Sequence, residues 1–129
     1  MIKLNIVKNI NFLSKKNLSF TIDTLVFDTV LTTIGSTTKQ FKIYNIENRT
    51  VNISDIELMG GDASPFRMNV DGIMSTKIQD IELEGKDSLF VFVEVTLAVS
   101  GQNLPLIIED SIRFRTNGVD QYVKLAVWG

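Results

Sequence analysis

Between Asp87 and Val99 the apolar residues Leu89, Val91, Val93, Val95 and Leu97 fall at every second position. Successive side chains of a β-strand point to opposite faces, so this set shares one face. Its β-branched content suits a pleated, half-buried surface, and the spacing predicts a strand with one side in a core. Phe90 and Phe92 then point away from that core.

Shorter runs of the same kind fill the rest of the chain. Leu18–Ile22 and Leu25–Val30 read as a first strand broken at Asp23-Thr24, as in a strand that passes from one sheet to another. Thr38–Asn45 puts Phe41 and Ile43 on one side. In Thr50–Leu58 the inward set is Val51 and Ile53, then Ile56 and Leu58, a change of phase that calls for a bulge near Ser54-Asp55. Phe66–Val70 closes on the turn dipeptide Asp71-Gly72, and Ile78–Leu83 leads through Glu84-Gly85-Lys86-Asp87 into the long alternating strand. Ile107–Arg115 and Gln121–Trp128 read as a hairpin around Asn117-Gly118. With Val123, Leu125 and Val127 in the core, Tyr122 and Trp128 face outward. Gly60–Pro65 and Gly101–Leu106 are loops, and no helix is predicted.

Many short strands with turn chemistry between them predict an all-β fold, an immunoglobulin-like antiparallel β-sandwich of seven to nine strands over residues 18–129, with a small barrel as the alternative. Residues 1–17 are expected to form a leader or flexible segment, or an extra edge strand at Lys3–Val7.

Composition removes several functions. The chain of 129 residues fits one domain, and its apolar share of 44% argues against disorder. A formal charge of −2 supplies no field for nucleic acid, and no run is long and apolar enough to span a membrane. Cysteine and histidine are both absent, which excludes disulfides, thiolate chemistry, zinc hydrolysis and the Ser-His-Asp triad. A paired-carboxylate enzyme stays open in principle, but the Asp residues sit mostly at turns, where backbone bonding explains them. The loop segments Gly60–Ser64 and Asn69–Gly72 lack the ligand spacing of a calcium loop. No cofactor and no metal is expected. The recurring Asp-Ser/Thr-apolar tripeptides at Asp23, Asp28, Asp87 and Asp110 are read as strand starts whose side chains bond the turn backbone, with their resemblance to the O-glycosylation acceptor motif of Bacteroidetes exported proteins as the alternative.

The strongest candidate for contact is aromatic. If the long strand and the last strand share a sheet, Phe90, Phe92, Tyr122 and Trp128 form one outward patch with Arg113 or Arg115 stacked nearby. Such a patch suits a neighbouring domain, or a glycan as the alternative ligand.

Two motifs point to a family. Ile81–Val95 (I-E-L-E-G-K-D-S-L-F-V-F-V-E-V) places a Gly-x-x-Ser turn before an alternating strand, and Thr116-Asn117-Gly118 leads to a final strand ending at Gly129. This resembles the hydin-type (ASH) and choice-of-anchor D immunoglobulin-like domains. Phe27–Asn45 (F-D-T-V-L-T-T-I-G-S-T-T-K-Q-F-K-I-Y-N) and Gly60–Gly72 (G-G-D-A-S-P-F-R-M-N-V-D-G) are similar to the N-terminal module of Bacteroidetes cell-surface lipoproteins that often carry a parallel β-helix. The resemblance spans Leu18 to Gly129 and implies a non-catalytic module of an envelope or surface protein that spaces or docks neighbouring domains. It also implies export, although this chain carries no lipobox cysteine. The chain is expected to be a fragment of a longer protein or a stand-alone copy of the module.

Overall fold

The alternation written into the strands is resolved into two five-stranded sheets that face each other across one core. The computed structural model describes residues 18–28, 36–96 and 107–128. Along the chain run β1 (Leu18–Phe20), β2 (Thr24–Asp28), β3 (Ser36–Asn45), β4 (Val51–Leu58), a single 3-10 turn at Gly61–Ala63, β5 (Phe66–Val70), β6 (Ile73–Met74), β7 (Lys77–Leu83), β8 (Ser88–Thr96), β9 (Ile107–Thr116) and β10 (Val119–Trp128). The first sheet has the order β1-β3-β8-β5-β6 and the second β2-β10-β9-β4-β7.

This is the immunoglobulin-like sandwich that the alternation predicts, with ten strands among the described residues. The count exceeds the expected seven to nine because the first strand is split in two and because the Asp71-Gly72 turn starts a two-residue strand, β6. Leu97–Val99, Val30, Gly129, the loop 101–106 and the whole segment 1–17 with its Lys3–Val7 strand lie outside the described residues.

The break at Asp23-Thr24 does switch sheets. Leu18–Phe20 pairs antiparallel with β3, whereas Thr24–Asp28 pairs with β10 in the other sheet. Two backbone bonds hand the chain across: Thr21 N–H donates to Lys42 C=O at 3.1 Å, and Lys124 N–H donates to Asp23 C=O at 2.9 Å. The β2–β10 pair is parallel, a departure from an all-antiparallel sandwich. It follows from the switch, since the chain changes partner without first reversing through a hairpin.

The tight turns adopt the conformations their residues favour. Asn117 and Gly118 have φ of 51° and 74° and join Thr116 to Val119, a type I′ hairpin turn whose twist matches the flanking strands. Asp71 and Gly72, at 52° and 81°, do the same between β5 and β6. Gly85 is needed for space, because a Cβ there would lie 2.3 Å from the Asn48 carbonyl oxygen.

The bulge in β4 sits where the change of phase requires it. Pairing with β9 shifts between Ile53 and Asp55, and the Ser54 hydroxyl donates to Arg115 C=O at 3.0 Å. An unbroken alternation would turn Asp55 into the core. The extra residue returns Ile56 and Leu58 to the interior, fully buried, and leaves Asp55 beside Arg113 on the outer surface of the sheet.

Aromatic pairs bind the two layers. Phe27 of the second sheet meets Phe66 of the first with ring centroids 5.9 Å apart, and Phe114 meets Phe20 at 5.0 Å and Phe41 edge-on at 6.1 Å. Phe27, Phe66 and Phe114 are fully buried, and burial of each stabilises the fold by about 1.5–3 kcal/mol.

Candidate interaction surfaces

The register decides which outward residues meet. β8 lies at the centre of the first sheet and β10 in the second, so Phe90 and Phe92 project from one broad face of the sandwich and Tyr122 and Trp128 from the opposite face. The four aromatic residues therefore do not make one patch. Alternation reports the buried side of a strand but carries no information about which sheet the strand joins.

On the first face, Phe90 and Phe92 have ring centroids 6.2 Å apart and remain 44% and 40% exposed. Their cross-strand neighbours on β3 are Lys42 and Gln40. The Lys42 ammonium lies 5.0 Å from the Phe90 ring and 5.3 Å from the Tyr44 ring, a cation–π bridge over the surface of the sheet. Beside Phe92, the β6 residue Met74 is 59% exposed and borders a shallow depression of about 320 Å³, with Thr38, Arg67, Asn69, Phe92 and Glu94 around it. Met74 and Lys42 are the contributors that sequence reasoning missed. The Asp71-Gly72 turn signalled that the chain returns next to β5, and so next to Phe92, which pairs with Asn69.

Arg113 and Arg115 are not stacked on these rings. They lie on β9 in the other sheet, and both are held by carboxylates. Arg113 Nη2 donates to Asp55 at 3.0 Å and to Glu57 at 2.8 Å. Arg115 makes a two-point contact with Asp120, Nε to Oδ1 at 2.7 Å and Nη2 to Oδ2 at 3.1 Å. The hydrogen bonds to Asp55 and to Asp120 raise the affinity of the two guanidinium groups for their protons. The bond from Arg115 lowers the Asp120 carboxyl below its ordinary range, against the opposing effect of burial. This row of charges is a structural ladder across β4, β9 and β10.

Tyr122 and Trp128 share the second face but not a site. Tyr122 borders an open, polar groove along the β1–β2 link, with residues 18–23, Asp120 and Gln121. Trp128 stands six residues along β10, in a separate depression with Thr24, Glu109, Ser111, Lys124 and Ala126.

Two further Asp carboxylates have structural duties. Asp110 Oδ1 accepts from the Gly60 and Ser111 N–H groups at 2.9 and 2.8 Å, and Oδ2 accepts from the Ser64 hydroxyl at 2.6 Å. Asp87 Oδ1 likewise accepts from Ser88 N–H at 2.8 Å. In these two Asp-Ser tripeptides the side chain bonds the backbone of the next residue, but of the four Asp residues only Asp23 and Asp87 precede a strand. Asp110 lies within β9 and Asp28 ends β2, so the strand-start reading does not hold for them. Among the described residues no three carboxylates gather as a metal site.

The sheet edges are poor templates for added strands. β1 and β6 are three and two residues long. Opposite the β4 bulge, β7 carries Asp80 at a φ of 56°, which interrupts its extended backbone. At β2 the Lys39 ammonium, from the inward side of β3, donates to Val26 C=O at 2.7 Å and lies 5.7 Å from the Phe27 ring. Short strands, kinks and inward-pointing lysines all discourage edge-to-edge pairing.

No family model matches the sequence, and no curated protein matches it. Solved structures share the fold at low identity. A Porphyromonas gingivalis W83 protein of unknown function is 11% identical at a TM-score of 0.61, over 92% of this chain and 51% of its own. This chain thus spans about half that protein's length. The CooA pilin subunit of enterotoxigenic Escherichia coli is 9% identical at 0.52, over 88% of this chain and 97% of the pilin. The ASH/PapD-like domain 7 of human CEP192 is 7% identical at 0.50, over 88% and 84%. The chain therefore has the immunoglobulin-like fold of ASH and PapD-like domains.

Proposed function

We propose that this domain is a non-catalytic interaction module that docks a neighbouring protein domain through the outer face of β3, β8 and β5. The observation that carries this reading is the exposure of Phe90 and Phe92 side by side on the central strand of a sheet, with exposed Met74 across β5 from Phe92. Clustered exposed aromatic and methionine side chains are the composition of an interface core. The short, kinked or lysine-guarded sheet edges favour contact through this face over strand addition, and Lys42, Arg67 and Glu94 give it a charged border of both signs. The row of ion pairs on β4, β9 and β10 and the turn-bonded Asp residues leave the carboxylates in structural roles, which supports a binding module over a hydrolase.

We place the module in an envelope or surface protein on two grounds. One is the likeness to a pilin subunit; the other is the motif resemblance to the N-terminal module of Bacteroidetes surface lipoproteins. Among the described residues no helix is long and apolar enough to cross a membrane.

Site-specific photo-crosslinking from position 92 in the source cells, followed by titration of the purified partner, tests the docking face. The expected result is one protein partner whose affinity falls at least about tenfold with the double substitution Phe90→Ser and Phe92→Ser, as for a hot-spot pair. A partner that binds the double variant unchanged, or no crosslink from this position, would overturn the proposal.

A further inference from the structure

On the opposite face of the sandwich, at the end of β10, lies a depression of about 440 Å³. Its floor includes Ala126, an outward-facing position that is nonetheless buried because its cross-strand partners Val26 and Glu109 and its strand neighbours Lys124 and Trp128 are all larger. The Trp128 indole stands at one end, 61% exposed. Thr24, Ser111, Glu109, Lys124, Asp110 and Leu125 complete the lining. The Asp110 carboxylate is taken up by Gly60, Ser64 and Ser111, whereas the side chains of Thr24, Ser111, Glu109 and Lys124 make no hydrogen bond or ion pair among the described residues.

We infer that this depression binds a neutral saccharide, with the Trp128 ring as the stacking platform. The inference is independent of the docking face on the other sheet. Opposite charges at Glu109 and Lys124 disfavour an ionic ligand of either sign, because each ion would be repelled by one of them. An apolar protein surface would bury both charges without hydrogen-bonding partners of its own, which disfavours it. A sugar ring meets every element of the site. Its C–H face covers the indole, and its hydroxyls both donate and accept, so they serve the Glu109 carboxylate, the Lys124 ammonium and the Ser111 and Thr24 hydroxyls together. The small Ala126 side chain leaves the space into which the ring descends.

Trp128 is the only tryptophan of the chain, so its emission reports this site alone. The test is fluorescence titration of the purified protein with maltose, cellobiose, lactose and N,N′-diacetylchitobiose to millimolar concentrations. At least one should give a saturable change in emission. The same change should be retained in Phe90→Ser, weakened at least about fivefold in Lys124→Ala or Glu109→Ala, and abolished in Ala126→Leu, which fills the floor. Calorimetry with Trp128→Ala, a change at an exposed side chain, should show no binding. The inference is overturned if none of the four sugars changes the emission, or if the change survives Ala126→Leu and both charge variants. It is also overturned if the emission shifts with protein concentration and not with sugar, the sign of a protein interface.

Discussion

The side-chain amide of Gln121, on β10, clasps the backbone of Leu18, on β1, at both of its polar groups. Gln121 Nε2 donates to Leu18 C=O at 2.9 Å, and Leu18 N–H donates to Gln121 Oε1 at a longer 3.4 Å. The two strands belong to different sheets, so the amide replaces a ladder that cannot form between the layers. It holds the first strand against the sandwich just before the chain crosses to its second sheet.

Replacing Gln121 by Ala should therefore cost about 1–3 kcal/mol, since Leu18 is left with two unpaired backbone groups in a buried setting. Denaturant unfolding measures the loss. Hydrogen exchange should place it locally, with the β1 amides losing protection before those of β9 and β10.

Asn45 is a second polar anchor, almost wholly buried where β3, β4 and β7 end together. Its Nδ2 donates to the carbonyls of Arg49, Leu83 and Glu84 at 2.8, 2.9 and 3.1 Å, and its Oδ1 accepts from Glu47 N–H at 2.9 Å. Asn45→Leu should destabilise the domain by about 2–4 kcal/mol, because several buried backbone groups lose their partner at once. Asn45→Asp should be as harmful at neutral pH and milder in acid, where a protonated carboxyl can donate again. Thermal melts of both variants across pH check this.

The Arg115–Asp120 pair predicts an acid dependence. The folded-state pKa of Asp120 is lowered, so its contribution is present above the unfolded value of about 3.9 and is lost as pH falls through the lower folded value. Asp120→Asn should lower the neutral plateau of melting temperature against pH only slightly, since exposed pairs contribute little, and the two curves should converge as pH falls through the folded value.

Lys39 predicts an effect on association more than on folding. Its ammonium covers the Val26 carbonyl at the open edge of β2. Lys39→Thr removes that cover and replaces the charge with a strand-favouring residue, so the variant should self-associate at concentrations where the parent is monodisperse. Light scattering compared with the melting temperature separates the two effects; aggregation only in step with lost stability would count against an edge-protecting role.

Much of the fold was legible in the chain because the signals are local. The I′ turns need residues that accept positive φ, and Asn117-Gly118 and Asp71-Gly72 supply them. The β4 bulge was readable because two inward sets, Val51/Ile53 and Ile56/Leu58, are out of phase by one residue. The sheet switch showed as a polar break at Asp23-Thr24 between two apolar runs. The candidate surfaces were legible only one residue at a time. That Phe90, Phe92, Tyr122 and Trp128 point outward followed from their alternation, and all four are exposed.

The buried and outward faces of each strand follow from the chain alone, because side-chain direction in an extended chain is set residue by residue. Which outward residues share a surface depends on how the strands assemble. Strand pairing joins positions far apart in the chain, and it put β8 and β10 in opposite layers. That placement set Phe90 beside Lys42, brought Phe92 and Met74 to one depression, gave Arg113 to Asp55, and gathered Glu109, Lys124 and Ala126 around Trp128.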